Sequence, residues 1–200
     1  MAAVLGLLAG ELALNGCARH PLRVSWELAE PPKRLTIDST VSYDPYFEAA
    51  PRNALAKELF ELFHHGRVDL AAAPQGHRLD DHGGLAADVR ARLEAEGVPE
   101  LRQLAYPSQA THPGENFFPN KRVDGFREAW SEIISAGWNG PGGRPDGEDA
   151  LHVETHLLEK RDIFITDDEG LLTICCRLRE RGFPVTAMRL SEYFNSRRSE

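Results

Sequence analysis

Acidic residues stand directly after two apolar stretches whose patterns predict buried strands. Asp38 follows Leu35-Thr36-Ile37, and Asp167 and Asp168 follow Ile163-Phe164-Ile165-Thr166. A further acid, Asp149, stands at the start of a helical pattern. Carboxylates delivered to one edge of a parallel sheet suit Mg²⁺, which takes oxygen ligands from one or two carboxylates, waters and substrate phosphate. The chemistry that these residues indicate is metal-assisted cleavage of a phosphodiester.

Each acid also has a plain structural interpretation as a helix cap. Asp38 precedes a turn into a helix, and Asp149 lies three residues after Asp146, which is a capping arrangement. A carboxylate in the first turn is stabilised by free amides and by the helix dipole, so we expect a low pKa for Asp149. We expect one of Asp167 and Asp168 to cap the following helix and the other to remain available for a metal.

A cluster of these acids would be repulsive without a cation. Carboxylates within about 4–6 Å raise one another's pKa unless a positive charge joins them. A divalent metal therefore completes the cluster, and the substitution Asp38→Asn is expected to cost little stability.

Helical and strand patterns alternate along most of the chain. They predict an α/β domain, with a mostly parallel central sheet in a three-layer α/β/α sandwich. This domain spans 34–194 with an irregular middle, 97–147, between a peripheral segment, 1–33, and a tail, 195–200. The predicted strands are 35–41, 68–73, 162–166 and 183–188. The predicted helices are 53–66, 85–96, 123–136, 149–160 and 170–181, with a mobile Gly/Pro-rich loop at 137–147.

Composition narrows the setting. The chain has 200 residues and a net charge of -8, which fits one domain and argues against a broad basic surface for nucleic acid. Its three cysteines have no disulfide or zinc spacing, so we expect a reducing, cytoplasmic compartment. No apolar stretch is long enough to predict a membrane span.

The order of these motifs resembles the PIN-domain family of metal-dependent nucleases, which includes VapC-like toxin ribonucleases. The resemblance rests on Leu35 to Thr40, Asp149-Ala150-Leu151-His152, the stretch 162–168 and the end of the chain at 183–194. It implies Mg²⁺ or Mn²⁺ bound by Asp38, Asp149 and Asp168, with Thr166 positioning Asp168. It also implies cleavage of RNA, with DNA as a second substrate class, a small basic antitoxin-like partner, and a homodimer as one oligomeric state.

The second acid of that family has no clear match. Asp80 or Asp81 would stand in its place, and Glu58 and Glu61 compete from the polar face of a helix. If none fills the position, one metal site is weak. The alternative is therefore a non-catalytic PIN-like module that binds protein or RNA.

Two histidines, His152 and His156, lie one turn apart on the predicted helix 149–160. Their spacing with Glu154 is not that of a zinc protease motif. We therefore expect both to be polar residues on the helix surface.

Overall fold

The computed structural model describes residues 31–43, 53–74, 85–101, 103–104, 117–118 and 122–198. The strands are β1 (Lys33–Ile37), β2 (Val68–Ala72), β3 (Gln103–Leu104), β4 (Phe117–Phe118), β5 (Ile163–Ile165) and β6 (Ala187–Met188). The helices are α1 (Ser39–Tyr43), α2 (Asn53–His64), α3 (Leu85–Ala95), α4 (Phe126–Ser135), α5 (Gly147–Leu158), α6 (Glu169–Glu180) and α7 (Leu190–Arg197). No helix within these ranges is both long and apolar enough to cross a membrane.

The central sheet has four parallel strands in the order β2-β1-β5-β6, and β3 pairs with β4 separately. Leu35 of β1 lies opposite Leu70 of β2 on one side and Ile163 of β5 on the other. The chain leaves β1 through α2 for β2, and leaves β5 through α6 for β6 at the opposite edge. The strand order therefore changes direction between β1 and β5. Open α/β sheets bind ligands outside the carboxyl ends of the strands at such a point.

Alternation along the short strand β5 divides the core into two layers. Phe164 packs with residues of α4, α5 and α6, whereas Ile163 and Ile165 pack with residues of α2 and α7. Successive side chains of a strand point to opposite faces, so both faces of the sheet are covered by helices. The all-parallel sheet confirms the predicted α/β class, and the helical layers are consistent with the predicted α/β/α sandwich.

Glycines end two helices where the sequence predicts a stop. The amide of Gly66 bonds to the carbonyl of Phe63, and the next amide bonds to Leu62, in a Schellman arrangement with φ of 65° at Gly66. Gly97, with φ of 75°, ends α3 in the same way. A left-handed backbone favours glycine because it has no Cβ, so these two stops follow from residue chemistry.

Two predicted strands are shorter than expected. The run 35–41 leaves the sheet at Asp38, because the Asp38 carbonyl accepts the amides of Val41 and Ser42 and begins α1. The run 183–188 pairs with β5 only at its last two residues, Ala187 and Met188. The amide of Val185 turns back to the carbonyl of Phe183, and Pro184 has no amide to offer.

The Gly/Pro-rich loop before α5 packs closely on the start of α6. A Cβ on Gly170 would lie 2.5 Å from the carbonyl oxygen of Gly143, and one on Gly142 would lie 2.7 Å from the Gly170 amide nitrogen. Further along α6, Arg177 bonds to Asn139 of the loop at 2.9 Å and stacks over Trp138. The loop that leads into α5 is thus in direct backbone contact with the first turn of α6.

The predicted limits of the domain are only partly covered by the described residues. The predicted peripheral segment, 1–33, falls outside the described residues up to residue 30, as do parts of the irregular middle. At the other end, α7 extends to Arg197, beyond the predicted domain limit at 194. Of the adjacent cysteines on α6, Cys175 is buried in the core and Cys176 is exposed.

Candidate functional site

Asp38 lies at the carboxyl end of β1 with only 2% of its surface exposed. Its Oδ2 accepts hydrogen bonds from the hydroxyls of Thr166 (3.0 Å) and Thr40 (3.2 Å). A longer contact, 3.4 Å, joins Oδ1 to the Ser39 hydroxyl. The carboxylate is therefore held by hydroxyl donors from the ends of two adjacent strands, β1 and β5.

His152 of α5 faces the same carboxylate. Its Nδ1 lies 3.3 Å from Asp38 Oδ1, and its side chain is 8% exposed. The N–H does not point along this line, so the contact is an ion pair more than a hydrogen bond. The expectation that His152 is a helix-surface residue is wrong, because this face of α5 packs against the ends of β1 and β2.

Burial and charge act in opposite directions on this pair. Burial tends to raise the pKa of Asp38, but His152, the Ser39 amide and the Thr166 hydroxyl hold that pKa below its usual range. Burial likewise tends to lower the pKa of His152, yet Asp38, Asp149 and the Pro74 carbonyl raise it. Both shifts favour the charged forms of the pair, a carboxylate and an imidazolium.

This ion pair changes one expectation about Asp38. A purely repulsive cluster predicts that Asp38→Asn is almost neutral for stability. The structure instead gives the carboxylate a buried counter-charge in His152. Removing one partner of a buried ion pair leaves the other uncompensated, so the substitution is expected to destabilise the fold.

Asp149 occupies the third position of α5 and forms the predicted capping box with Asp146. Its Oδ2 accepts the Asp146 amide at 2.8 Å, and the Asp146 carboxylate accepts the amides of Glu148 and Asp149. The expected low pKa is wrong. Burial, followed by the charges of Asp146 and Asp38, raises the pKa of Asp149 to about 6, against the lowering effects of the Asp146 amide and His152.

Thr166 and Asp168 connect β5 to the same edge. The Thr166 hydroxyl donates to Asp38 and accepts the backbone amide of Asp168 at 3.1 Å. The predicted hydroxyl hydrogen bond between Thr166 and Asp168 is thus present, and its donor is the Asp168 backbone amide. The Asp168 carboxylate caps α6 by accepting the Leu171 amide at 2.8 Å. Asp168, which the resemblance assigns to the metal, is thus the capping acid of the pair.

Asp167 has a different environment from its neighbour. Its side chain is 7% exposed, and its Oδ1 lies 4.0 Å from Nη1 of Arg189. The acid that the sequence left open for a metal is therefore turned toward a cation of the protein itself.

Of the four candidates for the second acid, the structure describes only Glu58 and Glu61. Asp80 and Asp81 lie outside the described residues. Glu58 and Glu61 are exposed on α2, whose buried residues are Ala56, Leu59 and Phe60. The two glutamates are on the solvent face, as the sequence predicts for them.

The donors present fit a hard cation only in part. In the described ranges, no group of three or more His, Cys, Asp or Glu side chains is arranged to hold a metal ion. Asp38 and Asp149 are close enough for the charge of one to raise the pKa of the other. One or two carboxylates with waters are a normal Mg²⁺ set, so this pair suits such an ion in chemistry and number. His152 supplies a competing positive charge.

No protein-family model and no curated protein matches the chain, so these comparisons assign it to no family.

The sequence does not predict His152 as a site residue, although it contains a signal. His152 follows Asp149 by three residues, and such positions share one face of a helix. The polar residues His156 and Glu154 on the same helix indicate a solvated face instead. In the structure both are fully buried, and Glu154 is paired with Arg127 at 2.6 Å.

Proposed function

We propose that this protein is a metal-dependent nuclease that hydrolyses phosphodiester bonds in RNA. The observation that carries the proposal is the meeting of Asp38, Asp149 and the Thr166–Asp168 turn where the strand order changes direction. Ligands of α/β sheets bind at this position, and oxygen donors there suit a divalent cation next to phosphate. The order of the motifs, which resembles that of PIN domains, supports the same activity.

The residues have separate roles in this proposal. Asp38 and Asp149 would hold Mg²⁺ or Mn²⁺, with Asp168 at the rim and Asp80 or Asp81 as candidates for a further ligand. Such an ion supplies an acidified water and neutralises charge on the phosphate. Thr166 keeps the Asp38 carboxylate oriented through its 3.0 Å hydrogen bond. Asp149, with a pKa of about 6, is largely ionised at pH 8 and available as a ligand.

A second candidate function is a PIN-like module that binds RNA or protein without cleaving it. The specific observation in its favour is the buried pairing of Asp38 with His152. An internal cation there satisfies the acid without a metal, and the described residues hold no three-ligand group. The small basic partner, the homodimer and the cytoplasmic location stay predictions.

Cleavage of a mixed panel of single-stranded RNA and DNA with Mn²⁺ and with EDTA tests the nuclease. Asp38→Asn is expected to reduce RNA cleavage at least about 100-fold, as expected for loss of a metal ligand's charge. The matched control is Asp162→Asn, the same chemical change at the opposite end of β5, where the carboxylate accepts a backbone amide of β1 at 2.7 Å. The control is expected to retain wild-type cleavage.

The outcomes separate the two functions. Cleavage that needs Mn²⁺ and survives in Asp162→Asn but not in Asp38→Asn supports the nuclease. RNA binding without cleavage, and without any Mn²⁺ effect on the melting temperature, favours the binding module. Equal cleavage by both variants would show that the activity lies elsewhere.

A further inference from the structure

Arg189 stands where β6 ends, at the same edge of the sheet as the acids. Its neighbour Met188 accepts the amide of Thr166, so Arg189 continues past the strand beside the Thr166–Asp168 turn. The residues that directly follow the four central strands in the described structure are Asp38, Ala73, Thr166 and Arg189. Arg189 is the only basic residue of these four.

The guanidinium of Arg189 is held above the first turn of α6. Nη2 bonds to Glu169 Oε1 at 2.8 Å, and Nη1 lies 4.0 Å from Asp167 Oδ1. The arginine side chain is 35% exposed and that of Glu169 is 50% exposed. The cation is thus pre-positioned at the rim of the site while remaining accessible to solvent on one side.

The starts of α5 and α6 carry three acids, Asp149, Asp168 and Glu169. These acids repel an anionic polymer that approaches them. A fixed cation beside them offsets that repulsion. Arginine suits the task, because its planar fork of N–H groups matches the oxygens of a phosphate.

We propose that Arg189 binds a backbone phosphate of the RNA, next to the one that is cleaved. The inference deepens the proposed function and rests on it for the identity of the substrate. In the free protein Glu169 holds the guanidinium, and on binding a phosphate replaces Glu169. The exchange is inexpensive because a half-exposed ion pair contributes little free energy.

Binding of a short fluorescein-labelled single-stranded RNA, followed by fluorescence anisotropy in EDTA, tests this without cleavage. Arg189→Gln is expected to weaken binding about five- to tenfold and to reduce the slope of log K against log salt by about 0.7, the share of one phosphate on a single strand. Arg189→Lys is expected to keep the salt slope while losing part of the affinity, because it keeps the charge and loses the fork. Arg181→Gln, an exposed arginine at the far end of α6, is the matched control and is expected to leave both quantities unchanged.

Several results would overturn the proposal. If Arg189→Gln binds with wild-type affinity and salt slope, Arg189 serves only its ion pairs with α6. A lower melting temperature with unchanged binding leads to the same conclusion. If Arg181→Gln weakens binding equally, the effect is one of general charge, and if the wild type binds no RNA, there is no phosphate for Arg189 to contact.

Failure of the nuclease is distinguishable from failure of this inference. A wild-type protein that binds RNA but does not cleave it with Mn²⁺ contradicts the proposed activity alone. When cleavage is present, Arg189→Gln is expected to raise KM while leaving kcat within about twofold, since uniform binding is lost.

Discussion

The two ends of the central strands differ in how their charges are satisfied. At the amino end, Arg161 donates to the Leu35 carbonyl at 2.9 and 3.1 Å and to the Asp69 carboxylate at 3.0 Å. Arg34 also pairs with Asp69, and Asp162 accepts the Arg34 amide. Positive and negative groups are paired at this end, and these pairs connect neighbouring strands.

At the carboxyl end the acids outnumber the cations that face them. Asp38 has His152 as a partner, but Asp149 has a pKa raised to about 6 by burial and by neighbouring acids. The first end stabilises the sheet, whereas the second retains a charge that costs stability. Such an imbalance is typical of functional sites, where strongly shifted pKa values cluster.

Helix α5 carries this difference along its own length, because it has one buried histidine near each end of the sheet. The pKa of His152, beside Asp38, is raised, while burial and the charge of Arg161 lower the pKa of His156 to about 4. His156 bonds to the Thr36 hydroxyl at 2.9 Å, and its Nε2 has no hydrogen-bond partner among the described residues. One histidine is therefore stabilised as a cation and the other as a neutral ring.

The largest expected effect is at the amino end. Arg161→Met should lower the free energy of unfolding by about 3 kcal/mol, since it removes the hydrogen bonds of a buried guanidinium to the Leu35 carbonyl and leaves Asp69 with Arg34 alone. Urea unfolding measures this, with Arg181→Met as the exposed control. Because the change is remote from the acids, any stabilisation by Mn²⁺ should be preserved. A loss of the Mn²⁺ response would show that the two ends are not independent.

The next effect has the opposite sign and lies at the carboxyl end. Asp149 has a folded-state pKa of about 6, above the ordinary 3.8. Its contribution to the stability of the protein is therefore lost as the pH rises through 6. A pKa shift of that size corresponds to about 3 kcal/mol, which partial exposure of the side chain reduces. Asp149→Asn should therefore stabilise the metal-free protein by about 2 kcal/mol at pH 8 and by much less below pH 4.

Chemical unfolding of Asp149→Asn at the two pH values checks this, with Asp162→Asn as control. An asparagine can still accept the Asp146 amide, so the cap is retained. Destabilisation at pH 8 would mean that the carboxylate charge contributes favourably and that the carboxyl end is not strained by excess acid.

The smallest effect distinguishes the two histidines. His156 has a folded-state pKa of about 4, below the ordinary 6.5, so its contribution falls as the pH drops below 6.5. The stability advantage of wild type over His156→Gln should shrink by about 1 kcal/mol between pH 7.5 and 5.5. The exposed His65→Gln is the control and should show no such trend. An advantage that grows on acidification would mean that the charge of Asp162 outweighs burial and the charge of Arg161 at His156.

The sequence predicted the fold better than the site. Apolar runs such as Ile163 to Ile165 and stops such as Gly66 are local signals, so the α/β class and most helix positions followed from them. The burial of His152 did not follow, because one face of α5 is polar in composition and yet lies against the strand ends. Only the packing of a whole helix determines that kind of burial.

The pKa of Asp149 was also beyond local reasoning. A first-turn acid is ordinarily stabilised by the helix dipole, but here burial outweighs it, with the charge of Asp146 and a smaller effect of Asp38, which is 111 positions away along the chain. Local sequence did not decide between the two acids at 167–168, of which Asp168 caps α6 and Asp167 faces Arg189.

The backbone contact between Gly143 and Gly170 has a mechanical consequence. Since a Cβ on Gly170 would lie 2.5 Å from a carbonyl oxygen, the two segments touch without any side chain between them. The chain from Gly143, which touches α6, to Asp149 of α5 then has a fixed number of residues. Insertions earlier in the loop, before Trp138, would be absorbed without altering it. The separation of the two acid-bearing helix starts is therefore insulated from length variation in the rest of the loop.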